Sequence, residues 1–305
     1  MNDITKKLLA RIADYRGTFS GAYSIREDGC SAGLHSTEHI QIQPKTGKPG
    51  LDIHILPETR GEQVSIPACV THGDINDLVY NDFYVGAGAD VVIVAGCGVH
   101  TETGEPARHN GIHRFFLEPG AHVRYLEKHI GTGHGAGIRS IDPVTEAFLQ
   151  ENAVLEMETS QIGGVDRTVR KTHVTAEAGA RLVIRERLLT EHAQTAETVF
   201  EVELNGAGSS ADLVSRSVAR DDSYQSYTST ITGNAPCTGH SECDAILAGN
   251  GKVDAAPRLC ARDNDAALIH EAAIGKIAGE QILKLRTLGL TEEEAEAKII
   301  QGFLG

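Results

Sequence analysis

The chain has 305 residues, of which 40% are hydrophobic and 23% are charged, and its formal net charge is -14. This balance is typical of a folded globular protein rather than a disordered one, and the length allows one or two domains. The acidic excess and the lack of a basic stripe argue against nonspecific binding to nucleic acid, whose phosphates attract a basic face.

Residues 1–34 are predicted to form an N-terminal segment with a short amphipathic helix. The opening stretch MNDITKKLLARIADYRG has Asp3 near its start, but it lacks the continuous apolar run and cleavage site of an export signal. No apolar run reaches the roughly 20 residues needed to cross a bilayer, so we expect a cytoplasmic protein without membrane contact. In that compartment its six cysteines should be free thiols or metal ligands rather than disulfides. They are Cys30, Cys69, Cys97, Cys237, Cys243 and Cys260.

Residues 35–272 alternate apolar and polar side chains in short segments, which predicts β-strands. A turn built on glycine and alanine recurs between these segments. The steps from Gly88 to Gly120, Gly179, Gly208 and Ala266 are about 32, 59, 29 and 58 residues, close to one or two multiples of roughly 30. Such spacing indicates stacked repeats. The core is therefore predicted to be all-β and to form a β-helix (solenoid), with an antiparallel sandwich as the alternative.

Residues 273–305 change to the periodicity of helices. The stretch GEQILKLRTLGL places Ile282, Leu285 and Leu288 on one side, and Gly289 is a natural helix stop. A first C-terminal helix is therefore expected to end before Gly289.

A second C-terminal helix is predicted directly after it. Thr291 and Glu294 form a capping-box pattern, and Ala295, Ile299 and Phe303 form an apolar stripe. The two helices would form a hairpin. This hairpin could cover the open end of the solenoid, dock a partner, or do both.

Histidines are numerous, and five of them lie between residues 109 and 134. We expect these five to be surface side chains rather than ligands. Separately, Cys97 precedes His100 by three residues, a spacing that could chelate a metal. This pair alone falls short of the three or four convergent ligands that a metal site needs.

The densest group of potential ligands lies between residues 237 and 271. On a solenoid, residues one repeat apart stack above one another, and the 27 residues from Cys243 to His270 are close to one repeat. Thiolate, imidazole and carboxylate groups together suit zinc or iron, and thiolates dominate iron–sulfur ligation. The alternative is a set of buried thiols beside a salt-bridged His–Glu pair. The group comprises Cys237, His240, Cys243, Cys260, His270 and Glu271.

Other enzyme classes leave little trace in the sequence. It contains no GxSxG nucleophile elbow and no HExxH zinc motif. It also lacks the GxxxxGK[ST] phosphate loop, so hydrolysis of ATP by that route is not expected of this chain.

The C-terminal part resembles a known family. The stretch SECDAILAG, then PRLCARD, then ALIHEAAIGKIAGEQILKLRTLGLTEEEAEAKIIQGF is similar to the C-terminal signature of the SufB/SufD family of iron–sulfur cluster assembly scaffolds. The resemblance is continuous from about residue 241 to residue 303 and looser back to about residue 70. It implies a right-handed parallel β-helix with flanking helices, in agreement with the repeats.

The resemblance also implies partners and a cargo. Family members work with SufC, an ABC-type ATPase that docks on the C-terminal helical region, here from about residue 274 to residue 303. Two scaffold chains pair through their β-helix cores, and a transient iron–sulfur cluster forms near that junction. A sulfur donor and acceptor apoproteins are further expected partners. The sequence does not specify the cluster type or whether a flavin takes part.

The same resemblance points to individual residues. Cys243 matches the cysteine of SufB-type members that is implicated in receiving sulfur and building the cluster, and Glu271 matches an implicated glutamate. His270 matches a histidine that contributes to the site in SufD-type members, and Cys260 matches a cysteine of some SufB-like chains. Weaker candidates are Cys237, His240, Cys97 and His100.

The sequence departs from the family pattern in three ways. Ile269 stands where the pattern has a glutamate, the chain is shorter than the longer members, and it combines the SufB-like Cys243 with the SufD-like His270. We therefore predict a homodimeric scaffold without enzymatic turnover of its own. The alternatives are a purely structural SufD-like partner, which the presence of Cys243 disfavours, and a carbohydrate-active β-helix enzyme. The absence of tryptophan and the few aromatic residues disfavour the enzyme.

Overall fold

A computed structural model, which describes residues 1–305, shows a parallel β-solenoid of about eight turns with three α-helices. The chain begins with α1 (Asp3–Ile12), β1 (Ala22–Glu27), β2 (Cys30–His35), β3 (Ile40–Pro44), β4 (Gly50–Ile55), β5 (Arg60–Ser65), β6 (Ala68–Val70), β7 (Ile75–Val85), β8 (Asp90–His100), β9 (Ala107–Leu117), β10 (His122–Thr132) and β11 (Arg139–Ile141). It continues with β12 (Val144–Leu149), β13 (Val154–Ile162), β14 (Arg167–Ala176), β15 (Arg181–Thr190), β16 (Thr195–Leu204), β17 (Ser210–Ala219), β18 (Tyr224–Gly233), β19 (Thr238–Leu247), β20 (Lys252–Ala261), β21 (Ala267–Lys276), α2 (Gly279–Arg286) and α3 (Glu292–Leu304).

Successive turns contribute strands to two long sheets. Sheet A has the order β2-β1-β5-β8-β10-β13-β15-β17-β19-β21, with β6 beside β1 and β8. Sheet B has the order β20-β18-β16-β14-β11-β9-β7-β4-β3, with β12 between β9 and β14. Pairing is parallel except in the hairpins β1–β2 and β3–β4. The predicted solenoid is therefore confirmed, and the antiparallel sandwich is wrong.

The repeat follows from turns that recur once per solenoid turn. In sheet A from β8 onward, paired strands are offset along the chain by 27 to 32 residues. Gly88, Gly120, Gly179 and Gly208 have φ of +66°, +68°, +65° and +74°, a region that glycine enters without steric cost. Asn152, with φ of +57°, occupies the turn between Gly120 and Gly179. The 59-residue step in the sequence thus spans two solenoid turns.

Alternation of side chains along each strand builds the interior. Inward positions are mostly aliphatic, and 37 buried residues form one continuous cluster. Because the strands are parallel and in register, like side chains lie above one another, as in the stacked rings of Phe83 and Phe115 with centroids 4.7 Å apart. This burial is the main source of stability, since a single turn has no core of its own.

Histidines from the middle of the chain lie inside the solenoid. His109, His113 and His129 are buried on the inner faces of β9 and β10. The expectation that the histidines of residues 109–134 are surface side chains is wrong for these three. It fails because buried polar partners accompany them, for example Asp77, whose Oδ2 lies 3.1 Å from His109 Nδ1. His134, in contrast, is exposed.

The N-terminal helix packs on the outer face of sheet A. Leu8 and Ile12 of α1 are buried against it, and they occupy the space that side chains at Gly96 and Gly98 of β8 would fill. Only residues 3–12 of the segment 1–34 are helical, because β1 and β2 add a hairpin to sheet A. The predicted helix is present, and strands begin earlier than residue 35.

The C-terminal helices lie against the side of the solenoid. Strand β21 continues to Lys276, so the first residues of the segment 273–305 are strand rather than helix. The capping box of Thr291 and Glu294 is confirmed. None of the three helices is long and apolar enough to cross a membrane.

Helix α3 uses a different apolar stripe from the predicted one. Its buried residues are Ala295, Ile300 and Leu304. Ile300 and Leu304 pack on Val218 of β17, with Ile246 of β19 beside them. The stripe shifted by one residue after Ala295 because the helix contacts a nearly flat sheet margin.

The far end of the solenoid is not covered by these helices. Strands β20 and β21 each have a hydrogen-bonded neighbour on one side only. Their inward side chains, such as Leu259 and Ile274, are exposed. The hypothesis that the hairpin covers the open end is therefore wrong, and both sheets finish in free edges.

Candidate functional site

The predicted ligands concentrate on β19 and β21, the last two strands of sheet A. These strands pair in parallel, with Ser241 opposite His270 and Cys243 opposite Ala272. The offset between them is 29 residues rather than the 27 that separate Cys243 from His270. The two side chains are therefore displaced by two positions instead of being in register. Because two is one period of a strand, both still point into the solenoid.

Cys243 lies on the inner face, in the main core cluster, and only 1% of its surface is exposed. Burial raises the pKa of the Cys243 thiol to about 12, with a further contribution from the Glu186 carboxylate. The group is therefore protonated at neutral pH. A metal ion that reached it would have to displace this proton, since the thiolate is the ligand.

His270 lies on the same inner face, one turn closer to the open end. It is half-buried, and its Nδ1 is shielded from solvent without a hydrogen-bond partner. A shielded imidazole nitrogen without a partner is unfavourable unless it acquires a proton donor or a metal. Its environment thus leaves a nitrogen lone pair or N–H available near Cys243.

A buried chain of polar side chains leads along the interior to Cys243. We call it the inner polar row; it comprises His113, Tyr125, Glu127, Arg170, Glu186 and Ser215. Tyr125 donates to Glu127 (2.9 Å), Arg170 Nη1 donates to Glu127 (2.7 Å), and Ser215 donates to Glu186 (2.7 Å). Ser215 is the register partner of Cys243 on β17. The interior therefore changes from apolar to polar in the turns that precede the thiol.

Charge pairing makes this row tolerable in the core. Burial opposes ionisation of Glu127, but the Arg170 guanidinium and His129 outweigh it and hold the pKa of Glu127 well below its usual range. The pKa of Arg170 is raised, because attraction to Glu127 and Glu186 exceeds the effect of its own burial. A paired charge of this kind is expensive to break, since either partner alone would be a buried ion.

Glu271 points away from Cys243, onto the outer face of sheet A. There it is the register partner of Glu242, and its Oε2 lies 3.7 Å from His240 Nε2. His240 Nδ1 contacts Asp212 Oδ1 at 2.9 Å. The hydrogen bond to Asp212 raises the pKa of His240. The prediction that grouped Cys243, His270 and Glu271 thus corresponds to two separate faces of the same strands.

The remaining candidates are dispersed. Cys260 is half-buried on the edge strand β20 of sheet B, in register with Thr232. Cys237 is buried in the main core just before β19. Burial also raises the pKa of the Cys237 thiol.

Cys97 and His100 do not converge. Cys97 is buried, and burial raises the pKa of its thiol well above the ordinary value. Residues three apart on a strand face opposite sides, and His100 Nδ1 contacts Thr132 Oγ1 at 2.9 Å. The chelating pair suggested by their spacing is absent.

Two residues of the outer group, Glu242 and Asp212, were missed in the sequence. Their signal was available in principle, because a 29-residue offset with strand alternation places Glu242 beside Glu271. Without the register that offset cannot be distinguished from 27 or 28 residues, and an error of one residue inverts the face.

The helical region beside these strands exposes apolar side chains. Helix α2 has no buried residue, and Leu283 and Leu288 are 61% and 76% exposed. A cavity of about 520 Å³ separates α2 and α3 from the ends of β19 and β21, and Leu247, Ile277 and Ile282 line it. Apolar side chains this exposed are typical of a surface that binds another protein.

The architecture defines a class of protein before any comparison. It is a parallel β-solenoid whose final turn carries a buried thiol and imidazole inside, acidic groups and a histidine outside, and an uncovered apolar helix next to them. Such a molecule presents metal-capable side chains at an open end.

Comparison with known proteins identifies the family. Residues 80–303 match the family model described as the SufBD core domain of the SUF system for FeS cluster assembly. The chain therefore belongs to the SufBD family of iron–sulfur cluster assembly proteins. The match covers most of the solenoid, both C-terminal helices and every residue of the candidate site.

Several curated proteins named iron–sulfur cluster assembly SufBD family proteins are similar to the chain. One from Methanothermobacter thermautotrophicus is 29% identical over 262 residues, which are 84% of this chain and 62% of that protein. One from Archaeoglobus fulgidus is 28% identical over 260 residues, 84% of this chain and 68% of that protein. One from Pyrococcus horikoshii is 33% identical over 189 residues, 60% of this chain and 56% of that protein. The chain thus spans less than two thirds of the length of the first of these relatives.

Proposed function

We propose that this protein is a scaffold, without turnover of its own, on which iron and sulfide assemble into a nascent iron–sulfur cluster. The observation that carries the proposal is the joint placement of Cys243 and the partnerless Nδ1 of His270 on the inner face of the last turn. A thiolate and an imidazole are ligands that iron accepts. One thiolate with one imidazole holds a cluster less firmly than four thiolates, which suits a cargo that must be handed on.

The buried thiol needs help to become a ligand. With a pKa of about 12, Cys243 gives up its proton only when an iron ion or persulfide chemistry compensates the cost. Solvent access requires displacement of β21, which covers Cys243 from one side only. This arrangement supports a site that is protected at rest and loaded during an assembly step.

Anaerobic reconstitution with ferrous iron and sulfide tests the scaffold role. We expect the wild type to acquire visible charge-transfer absorption, and Cys243→Ser and His270→Ala to lose most of it. Cys30→Ser is the matched control, because Cys30 is an exposed thiol on β2, far along the solenoid. If Cys243→Ser and His270→Ala both assembled a cluster like that of the wild type, the assigned ligands would be wrong.

The C-terminal helices are proposed to dock an ABC-type ATPase of the SufC class. Support comes from the exposure of Leu283 and Leu288 and from the packing of α3 on Val218, beside Ile246 of the Cys243 strand. A force applied to α3 would act on the strand that carries the thiol. Population of a second arrangement by nucleotide binding in the partner would then change access to the site.

Binding of the ATPase can be measured directly by calorimetry with the cognate SufC-class protein. Leu283→Asp and Leu288→Asp should weaken binding at least tenfold, because each places a charge in an apolar interface. Ile138→Asp is the control, since Ile138 is 51% exposed but lies in the loop before β11. Equal weakening by all three variants would contradict docking on α2.

A further inference from the structure

The outer face of β17, β19 and β21 carries a compact set of ligand atoms. One atom from each of His240, Glu242 and Glu271 lies within 4.8 Å of the other two. Parallel strands set adjacent side chains about 4.8 Å apart, so Glu242 and Glu271 meet directly across the ladder. Like charges placed opposite one another on neighbouring strands are destabilising unless a cation offsets them.

The histidine of this set is held in one orientation. Its Nδ1 contacts Asp212 Oδ1, and Asp212 accepts in turn from Arg185, whose Nη1 also donates to the Asp212 carbonyl at 3.1 Å. With Nδ1 engaged in this way, Nε2 faces Glu271. A carboxylate that fixes the far nitrogen of an imidazole is the usual outer support of a metal-binding histidine.

Open space adjoins the three side chains. A surface cavity of about 330 Å³ has His240 and Glu242 in its wall, together with Asp212, Arg185 and Arg216. Arg216 is the nearest cation to Glu242, at 4.0 Å, which is too far for a hydrogen bond. The carboxylates are therefore left without a close cationic partner, and the cavity has room for water molecules or a small ligand.

We propose that His240, Glu242 and Glu271 bind one divalent first-row transition-metal ion, with Asp212 as a positioning residue. One imidazole and two carboxylates suit Fe²⁺, Mn²⁺ or Zn²⁺, and the remaining coordination positions face the cavity. The site is distinct from the inner pair of Cys243 and His270, because it lies on the opposite face of the same strands. That iron is the physiological ion rests on the proposed scaffold function; the existence of the site does not.

The test uses Mn²⁺ as a probe, counted by the electron paramagnetic resonance of the free ion, and Fe²⁺ in anaerobic equilibrium dialysis. The protein is the full chain carrying Cys243→Ser and His270→Ala, so that the inner pair does not contribute. We expect one ion per chain, and at least tenfold weaker binding after Glu242→Gln, Glu271→Gln or His240→Ala. Asp212→Asn should weaken binding about 10- to 100-fold while leaving the metal-free melting temperature unchanged.

Glu201→Gln provides the control, since Glu201 is an exposed outer carboxylate on sheet B. Its binding should equal that of the parent protein. The proposal is overturned if the parent binds no ion below millimolar concentration, or if Glu242→Gln and Glu271→Gln bind as well as Glu201→Gln. The two proposals fail separately: wild-type protein that binds Mn²⁺ at this site but assembles no cluster would overturn the scaffold role alone.

Discussion

At the scale of single residues, the histidines inside the solenoid are held neutral by their surroundings. Tyr125 donates its hydroxyl proton to Glu127, so His113 Nδ1–H donates to Tyr125 at 2.8 Å and Nε2 accepts from Asn81 at 3.3 Å. Burial lowers the pKa of His113 to about 4. A second proton would also place an N–H against the Asn81 amide, which donates to that nitrogen already.

This residue predicts a pH dependence of stability. The folded pKa of His113, about 4, lies below its ordinary value of about 6.5, so the unfolded chain binds more protons between these limits. Stability should therefore fall as pH drops from about 6.5 to about 4, by on the order of 3 kcal/mol from this group, and flatten below. His113→Gln should reduce that slope in urea unfolding measured across the range. His134→Gln, at an exposed histidine, should leave it unchanged.

The carboxylates do not confuse the measurement. Asp77 and Asp82 have lowered pKa values, because hydrogen bonds and ion pairs with cationic partners outweigh the effect of burial. Their stabilisation is present above their unfolded pKa of about 4 and is lost only as pH falls below it. An unchanged slope between pH 4 and 6.5 in His113→Gln would mean that the buried imidazole is not the titrating group.

At the scale of elements, the packing of α1 depends on two glycines of β8. A Cβ at Gly96 would lie 2.7 Å from both the Cβ and the carbonyl oxygen of Ile12, and one at Gly98 would lie 3.1 Å from Leu8. Backbone atoms cannot move aside as a flexible side chain can. The helix therefore rests on a strip of sheet that has no side chains.

Gly96→Ala is expected to destabilise the protein by about 1–3 kcal/mol, because the added methyl group overpacks the contact with Ile12. Hydrogen exchange of α1 should accelerate together with the loss in the urea midpoint. The control is Gly104→Ala, where nothing lies within 4 Å of the added carbon. If the two variants had equal stability, α1 would not be anchored through this strip.

The elements also show how far sequence reasoning extends. Strand alternation and the glycine turns predicted the solenoid, since each Gly88-type turn needs a positive φ that the sequence displays openly. Asn152 hid one turn, because asparagine adopts the same conformation without looking like glycine. The inward histidines were missed for a different reason: their partners, such as Arg170 for His129, lie some 40 residues away along the chain.

For the site itself, residue types were predictable but their faces were not. Alternation alone separates His270 from Glu271, and the resemblance supplied Cys243. The pairing of Glu271 with Glu242 depends on the register of β19 and β21, which only the three-dimensional structure fixes. The outer ligand set was therefore visible only after the strands were aligned.

At the scale of the whole molecule, the free edges of β20 and β21 invite association. Both sheets end in unpaired strands, and Leu259 and Ile274 expose apolar surface there. Exposed edges of this kind pair readily with another chain. We propose a second copy of this chain as the occupant, so that two solenoids meet end to end and two copies of the Cys243 site face each other.

Light scattering after size exclusion should find a dimer at micromolar concentration. Leu259→Asp and Ile274→Asp should shift it to monomer, because each places a charge at the joined ends. Ile162→Asp is the matched control, as Ile162 is 45% exposed on β13 in the middle of sheet A. A wild type that is monomeric, or end variants that stay dimeric, would contradict end-to-end pairing.

The open end has a further consequence for how the thiol is reached. In a stack of repeats, each inner turn is stabilised by two neighbours and the last turn by one, so opening free energies decrease toward the terminus. The turn that shields Cys243 is therefore the one that frays at least cost, while the rest of the solenoid stays folded. A copy or partner that pairs with β21 supplies the missing neighbour and suppresses the fraying. Association thus acts as a latch, and exposure of the cluster ligands is controlled by whether the end is occupied.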